Sequence, residues 1–229
     1  MALTDWLVAY WKLDESSGNA SDSVGSYTAT NNSVTYSAGK INNWGDFNWS
    51  ASWFSFTNSW GLNGSSQNYS YSLWARPTSN MSAQKVFLTN VDSTFHNYNY
   101  IEFFSWAMRL VRVRWWIAAD VLNVTQAMNG WTWYHIVWTY NWSTLNLYIN
   151  GTSIGTKAST WNGSSWYSNQ SAIWADASGV LKFDWKIDEV GAWNRALTST
   201  EVTSLYNWWS GIQYPFSSGN SNFFLFMPQ

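Results

Sequence analysis

Thirteen acidic side chains, two histidines and no cysteine make up the acid–base and metal-binding stock of this 229-residue chain. The missing cysteine removes disulfides, thiolate catalysis and cysteine-ligated zinc together. Carboxylates offer two chemistries. A pair flanking a glycosidic bond hydrolyses it when the two groups stand about 5–5.5 Å or roughly 6.5–9.5 Å apart. A set of hard oxygen donors holds Ca2+. The adjacent pairs Asp14-Glu15 and Asp188-Glu189 argue against the first, because neighbours on a strand point to opposite faces. Asp14, Asp22, Asp46, Asp176, Asp184 and Asp188 could serve the second, yet none falls in a calcium loop of fixed spacing. Each could equally cap a turn by accepting from backbone N–H groups. His135, in an apolar run, reads as a core or cross-strand partner; His96, in the polar stretch Ser93–Tyr98, has no partner in sequence. Arg109, Arg112 and Arg114 precede Trp115-Trp116 and read as a strand with solvated arginines.

Strands must position these groups. Leu145, Leu147 and Ile149 alternate with Thr144, Asn146 and Tyr148, and Tyr69, Tyr71 and Leu73 alternate with Ser70, Ser72 and Trp74, the period of a pleated strand. Asn63-Gly64, Asn150-Gly151 and Asn162-Gly163 punctuate the runs with the dipeptide that tight hairpins favour. One helix is legible, at 198–206, where Thr198 and Glu201 have the spacing of a capping box. Many short strands with one short C-terminal helix predict an all-β fold, a two-sheet antiparallel jelly-roll sandwich. A chain of this length can bury its core in one such domain.

Charge excludes other classes. The net charge is −2 and 10% of residues are charged, so no basic field exists to hold nucleic acid. No apolar run approaches the roughly 20 residues that span a bilayer, and Met1–Tyr10 lacks the pattern of a signal peptide. Ser210–Asn222 is rich in Gly, Ser, Asn and Pro and leads to the apolar run Phe223–Met227. The expected division is a domain over 1–214 and a linker or tail over 215–229, the tail being a docked strand or the start of a following domain.

The stretch Phe183–Tyr206, FDWKIDEVGAWNRALTSTEVTSLY, resembles the closing motif of the LamG-like (laminin G-like) jelly-roll family of the concanavalin A-like lectin/glucanase superfamily. Leu7–Asp14, Asn19–Gly25, Gly45–Phe56, Tyr69–Pro77, Thr132–Tyr140 and Ser143–Gly151 are similar to its other elements, in order. The resemblance implies a non-catalytic module that binds a glycan or protein ligand, with its ligand-binding residues unknown. It implies a piece of a larger surface or phage structural protein, hence an extracellular, cell-surface or virion location. The E-x-D-x-E strand of the glucanase branch is absent. Related sandwiches hold Ca2+ near a sheet edge, which ranks Asp188 in the IDEV element first, then Asp176 and Asp22. Two alternatives stand beside this reading: a structural or assembly module that binds no sugar, and a glycoside hydrolase-related domain.

Tryptophan is the anomaly, with 21 Trp against 14 Gly. By comparison with the family, Trp6, Trp44, Trp49, Trp138, Trp142, Trp161, Trp166, Trp174, Trp185, Trp208 and Trp209 stand where Gly is usual. Trp11, Trp74, Trp133 and Trp193 match its own aromatics. A bulky residue in left-handed geometry costs roughly 1–2 kcal/mol, so six such sites would cost about 6–12 kcal/mol, the stability of a whole domain. Three explanations compete: an aromatic surface for stacking sugars, an engineered sequence, and a source in which UGA encodes Gly but has been read as Trp. The third accounts best for the choice of positions.

Overall fold

The computed structural model describes residues 1–48, 52–57, 68–78, 85–92, 97–104, 107–114, 117–159, 169–173 and 185–216. Its strands are β1 (Leu7–Trp11), β2 (Thr30–Asn32), β3 (Thr35–Ala38), β4 (Asn43–Phe47) and β5 (Trp53–Thr57). There follow β6 (Asn68–Pro77), β7 (Lys85–Asp92), β8 (Asn97–Phe104), β9 (Ala107–Arg114) and β10 (Ile117–Thr125). The last are β11 (Tyr134–Asn141), β12 (Thr144–Ile149), β13 (Thr152–Ala158), β14 (Asn169–Ile173) and β15 (Trp185–Trp193), and the helix α1 covers Ser199–Tyr206. One sheet runs β13-β12-β11-β6-β15-β4-β3, with β1 also on β15; the other runs β10-β9-β8-β7-β14-β5-β2. Every strand pair is antiparallel. The fold is the expected jelly-roll sandwich.

Side-chain alternation builds its core. Tyr69, Tyr71, Leu73 and Ala75 of β6 face inward and meet Ile101, Phe103, Met108 and Leu110 of the opposite sheet. Ser70, Ser72, Trp74 and Arg76 therefore take the outer face of the eight-stranded sheet. The helix covers part of that face. Leu197, Val202 and Leu205 bury against Val137, Tyr148 and Trp193. Thr198 caps α1 in both directions with Glu201, an arrangement that stabilises a helix start by about 1 kcal/mol. Arg195 fastens this corner, since its guanidinium donates to both oxygens of Glu201 and to the carbonyls of Ala2 and Asp5.

The turn between β12 and β13 follows its dipeptide. Asn150 and Gly151 have φ of 51° and 78°, the left-handed pair a tight hairpin needs. Asn63-Gly64, Asn162-Gly163 and the tail beyond Phe216 lie outside the described residues. The ring of Phe216 still packs edge-on against Tyr10, with centroids 5.3 Å apart.

Candidate functional site

Beyond the helix, the outer face of the eight-stranded sheet carries a patch of indoles around one arginine. Register places Arg76 opposite Lys186, and Lys186 opposite Asp46. Trp133 precedes β11 beside Arg76, and Trp131 enters through an N–H donated to the Pro77 carbonyl. The Arg76 guanidinium lies 4.8 Å from the ring centroid of Trp44, 5.5 Å from Trp131 and 5.7 Å from Trp133. Trp44 and Trp133 tilt at 50° with centroids 5.3 Å apart. Lys186 pairs with Asp46, whose other oxygen accepts from Ser37 Oγ and Trp44 Nε1. Arg76 Nε is buried without a hydrogen bond, and no ion pair reaches this guanidinium among the described residues. Sequence reading missed the patch. Its signal was Arg76, a lone charge on the outward face of β6.

A second polar cluster lies on the same face. Asp188 Oδ2 accepts from the backbone N–H groups of Lys40 and Ile41 at 3.0 and 2.9 Å, while Oδ1 is buried without a hydrogen bond. Glu189 Oε2 accepts from Tyr10 Oη at 2.5 Å. Gln213 Nε2 bridges Glu189 and Asp14, at 2.6 and 2.8 Å. The expectation that Asp188 and Glu189 face opposite ways is corrected here. Ile187 and Val190 both point into the core, so a bulge between them puts both carboxylates outside, with Glu189 at φ 52°. Burial raises the Glu189 carboxyl to about 8 against the pull of its hydrogen bonds. Burial and the neighbouring Glu189 also push Asp188 up.

The remaining residues singled out from sequence fall into separate places. Asp22 accepts from four backbone N–H groups, those of Tyr10, Val24, Gly25 and Tyr27, and so holds the turn after β1. Asp176, Asp184 and His96 lie outside the described residues. Among those described, no group of three or more His, Cys, Asp or Glu side chains could hold a metal ion. Asp22 and Asp188 instead accept from backbone N–H groups in separate places. His135 is a cross-strand partner: its Nε2 meets Ser72 Oγ at 2.8 Å, and burial lowers its pKa to about 3. The reading of Arg109 and Arg112 as solvated needs correction. Arg112 is buried beside Tyr140 and pairs with Asp120, and Arg109 pairs with the buried Glu102. In both pairs the acid is fully buried and the arginine supplies its counter-charge.

The tryptophans divide by backbone. Trp6, Trp131, Trp142, Trp208 and Trp209 have φ of 61°, 63°, 72°, 49° and 80°. Among the described residues the same five are the exposed tryptophans, at 67, 66, 43, 85 and 40% exposure. Four stood on the sequence-derived set of glycine positions, and Trp131 did not. Trp138 and Trp185 carry no left-handed backbone. They are core residues instead, Trp138 stacking on Tyr71 with centroids 5.0 Å apart. Trp44 also has an ordinary strand backbone. Trp49, Trp161, Trp166 and Trp174 lie outside the described residues.

Known proteins can be set beside this geometry. None of the curated proteins compared with the chain matches it. Similar solved structures include the binding domain of Paraclostridial Mosquitocidal Protein 1, at 19% identity and a TM-score of 0.74, over 91% of this chain and 53% of that one. A botulinum neurotoxin type C structure, from work on its interaction with two ganglioside molecules, is similar at 13% identity and TM-score 0.72, over 89% and 51%. Domain 4 of AbnA, a GH43 extracellular arabinanase from Geobacillus stearothermophilus, was solved in complex with arabinotriose. It is similar at 20% identity and TM-score 0.66, over 86% of this chain and 97% of that one. The chain thus spans about half the length of the first two, and at these identities the likeness is one of fold. A laminin G family model, described as the concanavalin A-like lectin/glucanases superfamily, matches residues 48–203, and the chain belongs to that superfamily.

Proposed function

We propose that the chain is a non-catalytic carbohydrate-binding module, and that sugar lies on the indoles of Trp44, Trp131 and Trp133 around Arg76. The observation that carries this reading is the aromatic patch itself, with Arg76, Lys186 and Asp46 at hand. Flat apolar rings beside a few fixed polar groups are how sites hold a small ligand in one orientation. The arabinotriose complex of AbnA domain 4 supports the substrate class. A general acid or base must reach its substrate, yet Asp188, Glu189, Glu102 and Asp120 are buried. No helix among the described residues is long and apolar enough to cross a membrane. The module would serve a larger protein displayed on a cell surface or virion, where adhesion is its use.

A glycan array with the chain and its Trp133→Ala variant tests this. The expected result is reproducible binding to one sugar class, weakened about ten-fold or more in the variant, as loss of an aromatic anchor requires. Equal binding by the variant would remove the patch as the site. Repeated failure of the unaltered chain to bind any sugar would leave the assembly module as the better account.

A further inference from the structure

Arg76 narrows the ligand. We infer that the saccharide carries a carboxylate, as a uronate or sialate residue does, and that Arg76 takes it; this rests on the patch being a carbohydrate site.

Three other arginines are treated differently. Arg109, Arg112 and Arg195 each meet an acid, at 2.9, 3.2 and 2.7 Å. Arg76 is partly buried between three indoles, with its Nε closed off, but meets no carboxylate among the described residues. The acids described nearby are engaged. Asp46 holds Lys186, Ser37 and Trp44, and Asp188 faces the amides of Lys40 and Ile41. A charged donor without a partner costs free energy, and since Nε is closed off, the terminal amino groups of Arg76 are the ones a ligand acceptor would meet. Indoles meet a guanidinium through their faces. The in-plane N–H edge of Arg76 is then left for a planar acceptor, and a carboxylate matches two parallel N–H donors. A neutral sugar offers hydroxyls to the same edge, without the charge. Half-burial strengthens the ionic contact relative to open water. The sugar ring attached to that carboxylate would lie against Trp133 or Trp131.

The test uses the full chain and tryptophan fluorescence titration. One pair of probes is an oligogalacturonide and its methyl ester, which differ only at the carboxyl group. The other is sialyllactose and lactose. One acidic probe should bind about ten- to a hundred-fold tighter than its neutral counterpart, the value of a charge-assisted pair. The pair that shows the gap identifies uronate or sialate as the source. Arg76→Gln should erase the gap, costing the acidic probe about ten-fold or more beyond whatever the neutral one loses, and Arg76→Lys should keep part of it. Should Arg76→Gln fail to fold, the acid-to-ester ratio of the unaltered chain decides, together with competition by free glucuronate or free sialic acid. Equal binding of acidic and neutral probes, or a gap that survives in a folded Arg76→Gln protein, overturns the inference and leaves the carbohydrate site standing. No binding of any probe sinks both.

Discussion

Replacing each exposed tryptophan in turn by Gly and by Ala separates backbone strain from side-chain loss. Both substitutions delete the indole, so their difference reports the main chain. At φ of 49° for Trp208 and 72° for Trp142, any Cβ is strained and Gly is not. Gly should therefore leave the protein more stable than Ala by about 1 kcal/mol per site. Taken over all five sites, the glycine set should exceed the alanine set by about 5 kcal/mol, a large share of a domain's usual stability. Trp138 and Trp185 are internal controls, because both lie buried in strands. There Gly should be worse than Ala by roughly 0.5–1 kcal/mol, with both variants losing about 3–5 kcal/mol to the cavity. Equilibrium urea unfolding at 25 °C measures the differences. The sign must invert between the exposed and the buried set. If Gly is no better than Ala at Trp208 and Trp142, the left-handed backbone is not what those sites require, and the glycine explanation of the tryptophan excess falls with it. Tandem mass spectrometry on protein from its native source gives an independent check. In the tryptic peptide Trp115–Lys157, the glycine account expects Gly at 131 and 142 beside an unchanged Trp133.

Stability should peak on the acid side of neutrality. His135, at about 3 when folded, contributes stability that is lost as pH falls from about 6.5. Glu189, at about 8, contributes stability that is lost as pH rises from about 4.5, and Asp188 adds in the same direction. Each limb should run near 1.4 kcal/mol per pH unit; His135→Gln should flatten the acid limb of a stability–pH curve and Glu189→Gln the alkaline one, and an unchanged profile would disprove the assignment. Arg195→Ala should cost about 3–5 kcal/mol by stranding the buried Glu201, a loss under 1 kcal/mol in a denaturant melt being the contrary result. Asp22→Ala leaves four backbone N–H groups without their acceptor and should lower stability by several kcal/mol. That loss should be equal in Ca2+ and in chelator, and a loss seen only with Ca2+ would make Asp22 a ligand instead.

Local signals were legible wherever they acted through the backbone. Thr198 and Glu201 announced the helix start, and the capping box formed as spaced. Asn150-Gly151 announced its hairpin. The period-2 runs identified β6 and β12, and Asp22 formed the turn network open to any aspartate there. What stayed hidden depends on contacts between distant segments. Nothing in IDEV shows that Glu189 turns left-handed, because the bulge is set by how β15 sits between β1 and β6. Arg112 looked solvated because its acid, Asp120, lies opposite it on the next strand, β10. The indole patch needs β4, β6 and the approach to β11 side by side, and no spacing along the chain displays that neighbourhood.

The two lines of argument meet at Arg76, and they can be separated there. Trp131 is left-handed and exposed, and Trp44 is among the positions that the sequence comparison reads as glycine-like. If both are glycine in the protein as its source makes it, two walls of the patch go. Trp133 and Arg76 remain, with Lys186 and Asp46 beside them. Stacking area for any sugar would shrink, so acidic and neutral ligands would weaken together. The preference for the acid would not shrink, because it belongs to the guanidinium, and a more open Arg76 still meets no carboxylate among the described residues. A Trp44→Gly, Trp131→Gly protein is therefore expected to bind more weakly and discriminate nearly as well. The aromatic surface sets affinity, the arginine sets ligand class, and only the first depends on how the tryptophan codons are read.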